Sequence, residues 1–548
     1  MYGAFCNCSS LTSIAIPNSL TSIEDNAFQG CSGLTSITIP SDVTSIGQRA
    51  FSGCRSLTSI TIPSGVTSIV QGTFYDCGGL THVMIPSGVT SIGKDAFSGC
   101  GSLTEIRYMG DITSWCKIDN HKHIMNYGKS DRKLYVNDVE IAGELLIPSG
   151  VTSIGQSTFY NCGGLTRVIL SISVTSIGEC AFYGCSGLTS ISIPNSITSI
   201  AANAFTGCDS LVKKVNGVRY VGDVDKCVIG CDADVTSVSI DGNTVCIGHR
   251  AFYGCSGLTN ITFAEPDKLT SIGSYAFYGC SGLTSISIPY SVTSIGECAF
   301  YGCNGLTSIM IPGGVTSMGY SVFYGCSGLT SITFDESGQL MSIEEYAFYD
   351  CSGLTSVTIP SSVASIGDEA FRGCSSLTSI TFAGNSQLTS IGESAFAGSG
   401  LTSITIPSSV ASIERNAFYA CSSLTSITFA GNSQLTSIGE SVFAGCGITN
   451  ITIPSSVTNI GYQAFFWCSS LTSITIPGSV TSIGREAFYR CSKLTSITIS
   501  ESVTSIGIDA FRDCSELTIY CEVAEQPSGW SSNWNSSNRP VVWNCKNK

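Results

Sequence analysis

A phenylalanine recurs along this chain at an almost constant interval. It stands at Phe5, Phe28, Phe51, Phe74 and Phe97, always 23 residues apart. It returns at Phe159, Phe182 and Phe205. A third run follows: Phe252, Phe277, Phe300, Phe323, Phe348, Phe371, Phe396, Phe418, Phe443, Phe465, Phe488 and Phe511, with spacings of 22, 23 or 25. A fixed period of this length marks a chain built from one repeated supersecondary unit, stacked as a solenoid of twenty coils. This also removes a difficulty of size. A chain of 548 residues is too long for one globular core, but a solenoid core grows in one dimension.

One unit runs from Leu34 to Cys54 and reads LTSITIPSDVTSIGQRAFSGC. Its opening L-x-x-I-x-I follows the leucine-rich pattern. Ile37 and Ile39 share one face of a strand, and Ser36 and Thr38 take the other. Pro40 ends the strand because it has no N–H for the ladder. Val43 to Ile46 reads as a second short extended segment, and Gly47 turns the chain. Ala50, Phe51 and Cys54 are expected on one face of about one helical turn. The expected fold is therefore a right-handed, slightly curved β/α solenoid of the leucine-rich-repeat class, with a parallel β-sheet. At roughly 4.8 Å per coil it would extend roughly 100 Å.

Length variants fall where turns are expected. The 25-residue coils add two residues after the strand, as in Phe382 to Leu388. The 22-residue coils lose one after the cysteine position, as in Gly398 to Leu401. The pattern divides the chain into repeats over 1–104 with an uncapped N-terminal end, an insert over 105–145, and repeats over 146–210. A divergent coil over 211–246, repeats over 247–517 and a tryptophan-bearing C-terminal cap over 518–548 complete it. Phe5 and Cys8 already hold repeat positions, so end-to-end self-association through exposed strand edges is expected.

Composition narrows the function. Charged residues make up 12 % and the formal net charge is −14, which argues against nucleic acid as a partner. No run of 18 apolar residues exists, so no membrane span is expected. The start lacks the basic and apolar segments of a signal peptide. The four histidines, His82, His121, His123 and His249, stand near no nucleophile motif. No catalytic residue, metal or cofactor is expected. His121-Lys-His123 lies near Cys116, but the spacing is not that of a zinc site and reads as a solvated loop.

Nineteen of the 28 cysteines stand three residues after the marker phenylalanine, and Ser399 fills the twentieth position. Ladder neighbours at one register would hold Cβ atoms roughly 5 Å apart, too far for a disulfide. Buried free thiols are therefore expected, while Cys521 and Cys545 stand off the ladder and could pair. Acidic residues cluster before the phenylalanine, where a helical turn would favour them. Tyrosine follows the phenylalanine in ten coils, which fits either inter-coil packing or a recognition stripe.

The motif LTSITIPSSVTSIG…AFxGCSSLTSI resembles the leucine-rich repeats of the Bacteroides surface protein A-like, or Treponema-type, family. The resemblance covers nearly the whole chain, including the segments around Trp115 and Tyr220 and the ending IYCE…PSGW…W…PVVW. It implies a bacterial or protozoan cell-surface or secreted protein. The implied role is non-enzymatic: adhesion or protein–protein binding, with a host matrix or cell-surface protein as ligand. A passive spacer, or a fragment of a larger surface protein, is the alternative. Candidate binding residues are Trp115, His121, His123 and Tyr127 in the insert. On the strand face they are Ser36, Thr38, Ser59, Thr61, Ser379, Thr381, Ser403, Thr405, Ser473 and Thr475. The face is so uniformly Ser and Thr that the inserts near Trp115 and Tyr220 are the expected seat of specificity.

Overall fold

The computed structural model describes residues 2–547. The chain is a parallel β-solenoid of leucine-rich-repeat type, with coils about 23 residues long and almost no helix. It divides into two compact units, Met1–Gly230 with Asn243–His249, and Cys231–Gly242 with Arg250–Lys548.

Three ladders of backbone hydrogen bonds hold the second unit together. The first is a sheet of eleven strands running from Ser308–Ile311 through Ser379–Phe382, Ser403–Ile406 and Ser426–Phe429 to Thr518–Cys521 and Val541–Val542. Every pair is parallel and in register; Ser403, Ile404, Thr405 and Ile406 face Ser426, Ile427, Thr428 and Phe429. The alternation of the sequence sets the faces. Ile404 and Ile406 are buried and Ser403 and Thr405 are exposed. The second ladder pairs the two-residue strands Ser365–Ile366, Ser390–Ile391 and Ser412–Ile413.

The third ladder runs through the phenylalanine segment, and here the structure corrects the expected helical turn. Glu369 and Gly373 both adopt left-handed φ, 53° and 73°, on either side of Phe371. A left-handed residue every four positions breaks a right-handed helix into successive turns. The freed N–H groups of Glu369, Phe371 and Gly373 donate to Glu393, Ala395 and Ala397 of the next coil, at 2.8, 2.7 and 2.9 Å. The acidic residues before each phenylalanine therefore lie in turns, not at a helix start.

Side-chain ladders fill the core. Twelve phenylalanine rings from Phe252 to Phe511 stack with centroids 5.1–5.6 Å apart. Beyond Phe511 the stack meets Trp534 edge-on at 5.8 Å. Trp530 packs on Trp534 at 4.9 Å, and its indole Nε1–H donates to the Val503 carbonyl at 3.0 Å.

Most ladder cysteines are buried thiols. Two departures stand out. Cys255 is joined to Cys231, and Cys8 is exposed. The off-ladder Cys521 and Cys545 are both free, so the pair left open by the sequence does not form.

In the first unit, residues 105–145 add a coil to the stack, although the strand ladder ends at their hairpin and a new one starts at Gly143–Ile147. Lys133–Val136 pairs in parallel with Glu105–Tyr108, then turns back in an antiparallel hairpin with Val139–Glu140. The Phe97 N–H, which would bond to an alanine of the next coil, bonds to the His123 carbonyl at 3.2 Å. The segment is one enlarged coil, with short helices Ile112–Cys116 and Lys122–Met125 in place of the usual turns. The divergent region contributes a hairpin of Lys213–Val215 with Val218–Val221, and Cys227 and Val228 pair with Cys246 and Ile247.

Candidate functional site

The strand-face residues Ser36, Thr38, Ser59, Thr61, Ser379, Thr381, Ser403, Thr405, Ser473 and Thr475 are all exposed. Each points away from the core because its neighbours, such as Ile60, Ile380, Ile404 and Ile474, point into it. Within a coil the hydroxyls have different duties. The Thr425 hydroxyl donates to the Thr402 carbonyl of the preceding coil at 3.2 Å. Thr405 and Thr428 share a hydroxyl–hydroxyl bond of 2.8 Å across coils. The hydroxyls of Ser379, Ser403 and Ser426 have no partner among the described residues and face solvent.

The structure brings four of these residues together. Ser379, Thr381, Ser403 and Thr405 line a groove of about 570 Å³. Its remaining walls come from Phe382, Ala383, Asn385 and Ser386 of a 25-residue coil and from Pro407, Ser408 and Ser409 of the 22-residue coil that follows. The loop geometry follows from the sequence. The two extra residues form a turn in which Asn385 is left-handed, φ 58°, a conformation asparagine tolerates well. Ser409 ties the loop down, its hydroxyl lying 2.7 Å from the Leu388 carbonyl and 3.1 Å from that of Ser386. The Asn385 amide is exposed and has no partner among the described residues.

A second groove of about 410 Å³ lies one long and one short coil further on. It is lined by Thr428, Phe429, Asn432, Ser433, Asn450, Thr452 and Ser456, among others. The sequence reading did not single out Asn385, Asn432 or the half-buried Phe382 and Phe429. The signal was present in the alternation of 25- and 22-residue coils from Phe371 to Phe465.

Two of the insert candidates, Trp115 and His121, are corrected by their burial. Trp115 is fully buried, with its indole Nε1–H donating to the Thr158 carbonyl at 3.2 Å. His121, expected in a solvated loop, is 1 % exposed and packs edge-on against Trp115 at 4.6 Å. Burial lowers its pKa to about 4, so the ring is neutral, and Nε2 lies 2.9 Å from the Trp115 carbonyl. His123 is half-buried, its Nδ1 accepting the Asp95 N–H at 3.2 Å. Tyr127 is half-buried, and its carbonyl accepts from buried Arg132. Arg132 also donates to the carbonyls of Met125 and Tyr160, at 2.7 and 2.9 Å. The apolar and aromatic content that marked this segment is its own core, built against the following coil.

The tyrosine stripe resolves as packing. Tyr253, Tyr278, Tyr301, Tyr324 and Tyr349 stack at 4.6–4.9 Å, covering one another's faces. Among the described residues, no group of three or more His, Cys, Asp or Glu side chains converges to hold a metal ion. Among the described residues, no helix is long and apolar enough to cross a membrane.

The chain is similar to known bacterial proteins. The BspA-type leucine-rich repeat pattern matches residues 2–119, 138–220, 225–351, 341–469 and 436–521. A leucine-rich cell surface protein from Faecalibacterium prausnitzii A2-165 shares 28 % identity, over 59 % of this chain and 96 % of its own, with a TM-score of 0.36. A leucine-rich repeat protein from Bacteroides ovatus ATCC 8483 shares 24 %, over 93 % and 91 % of the two chains, with a TM-score of 0.23. The pneumococcal vaccine antigen PcpA shares 18 %, over 61 % and 98 %, with a TM-score of 0.31. No curated protein matches the chain. The repeat pattern spans the chain from its first coil to its last, and the chain belongs to the BspA-type leucine-rich repeat family.

Proposed function

We propose that this protein is a non-enzymatic binding protein of a cell surface or secreted assembly, and that its exposed sheet face is the adhesive surface. The carrying observation is the hydroxyl-lined groove at Ser379, Thr381, Ser403 and Thr405, with its unpartnered Asn385 amide. Parallel strands locked in register hold these groups in fixed positions, so little conformational entropy is lost when a partner docks. Resemblance to the repeats of bacterial surface proteins supports a matrix or cell-surface component of a host as the ligand class. Point substitutions test this better than deletion of residues 105–145, because those residues belong to the stack. Thr405→Lys places a charge in the groove on an exposed position. Binding of the intact chain to immobilised matrix proteins should fall at least about tenfold in this variant, with its melting temperature unchanged. Equal binding by both proteins would remove the sheet face as the site. No binding by either would favour the passive-spacer reading.

A further inference from the structure

Residues 374–394 and 421–441 have the same sequence, CSSLTSITFAGNSQLTSIGES. Each copy opens one of the two grooves. Asn385 and Asn432 both have φ 58°, both are exposed, and neither amide has a partner among the described residues. The same chemistry is thus displayed twice, two coils apart, at roughly 10 Å along the sheet.

None of the residues lining either groove is charged. The other two 25-residue coils differ at this point. One carries Asp335 and Glu336, with Asp335 engaged by the Ser337 N–H at 2.9 Å, and the other carries Glu265, Asp267 and Lys268. The neutral loops are therefore a local property of the duplicated pair, on a chain of net charge −14. Each groove offers hydroxyls, one free amide and a half-buried phenylalanine edge. Paired donors and acceptors without charge suit a ligand of the same kind, one dense in hydroxyls. An acidic ligand would find no cation here, and a basic one no carboxylate.

We propose that the two grooves are tandem subsites for one uncharged glycan chain, each Asn amide bonding to sugar hydroxyls. This rests on the reading of the sheet face as a binding surface and names its ligand class. A short oligosaccharide fills one groove, and a longer one of the same repeat spans both. Linkage makes the second contact intramolecular and raises the affinity of the long chain without any new type of contact.

The test uses the full chain on a printed array of neutral and acidic glycans, followed by calorimetry with short and long oligomers of the glycan bound. Asn385→Gly and Asn432→Gly remove the amide and keep the left-handed backbone. The wild type should bind neutral glycans, taking two short oligomers or one long oligomer per chain. Asn385→Gly alone should halve the short-oligomer stoichiometry and lower long-oligomer affinity at least about tenfold. The double variant should lose both. A chain that binds no glycan, binds only acidic glycans, or binds equally well in the double variant overturns the proposal. A parallel arm presents matrix proteins before and after enzymatic removal of their glycans. Binding that survives deglycosylation and falls in the double variant makes the grooves a protein site, which retains the adhesive reading and rejects the glycan. Matrix binding that ignores the double variant rejects the grooves in both readings.

Discussion

The Cys374 thiol donates to the Phe348 carbonyl, one coil back, at 3.1 Å. That carbonyl also accepts the Cys351 N–H at 3.1 Å, so both of its lone pairs are used inside the core. The relation repeats from coil to coil, as in Cys326 to Phe300 and Cys351 to Phe323, each at 3.1 Å. It explains why a cysteine suits this position. A thiol is nearly as apolar as a methyl group, yet it carries one weak donor for a carbonyl that would otherwise be half-satisfied.

Alkali should therefore unfold the protein. Burial pushes the thiols of Cys54, Cys100, Cys280 and Cys326 up to about 12 from an ordinary 9.0. A folded pKa above the unfolded one gives stability that is present below pH 9 and is lost as pH rises towards 12. The melting temperature should hold from pH 7 to 9 and then fall steeply. A flat profile to pH 11 would show that these thiols are not buried as described.

Thiol counting gives a second check. Only Cys231 and Cys255 are joined, so 26 of the 28 cysteines are free. In the native state Cys6 and Cys8 should react first, being exposed, and the buried ladder slowly. Denaturation without reductant should release the full set. Labelling that needs reductant would contradict the ladder.

Phe371→Ala should cost about 3–5 kcal/mol through lost burial and the cavity left behind. Phe371 touches the rings of Phe348 and Phe396, at 5.1 and 5.4 Å, and each coil leans only on its neighbours. Hydrogen exchange should therefore quicken across roughly residues 350–400 and stay slow at Phe511. A uniform loss of protection would mean that the unit unfolds as one body.

The enlarged coil should be sensitive to acid. Burial holds His121 neutral with a pKa lowered to about 4 from 6.5. A depressed histidine pKa means that the unfolded segment binds more protons between those values, so its stability falls as pH drops from 6.5 towards 4. Proteolysis within residues 117–131 should become faster over that range, and His121→Gln should remove much of the dependence. Susceptibility unchanged from pH 7 to 4.5 would contradict the burial of the ring.

Much of this architecture was legible from spacing alone. The phenylalanine period located twenty coils but not the enlarged one around His123, which has no marker phenylalanine, and the Ile and Ser/Thr alternation assigned the faces of the sheet. The turns around Phe371 were misread as helical because left-handed residues there include Glu369 as well as Gly373, and glutamate carries no turn signal. The insert was misread for a related reason. Trp115 and His121 look like recognition residues in a sequence, but a coil of 39 residues where 23 is usual needs its own aromatic core. The groove residues were half-found. Ser379, Thr381, Ser403 and Thr405 follow from strand alternation, whereas Asn385 depends on how a long coil stands beside a short one.

On this reading the uncharged sheet face, and not the insert, binds the partner. Biolayer interferometry against immobilised matrix proteins tests it, comparing wild type, the groove variant Thr405→Lys/Thr452→Lys and the insert variant Lys122→Glu/Lys129→Glu. All three should give the same circular dichroism and melting temperature. The groove variant should lose binding at least about tenfold while the insert variant binds as wild type. Binding that is lost in the insert variant and kept in the groove variant would contradict this reading.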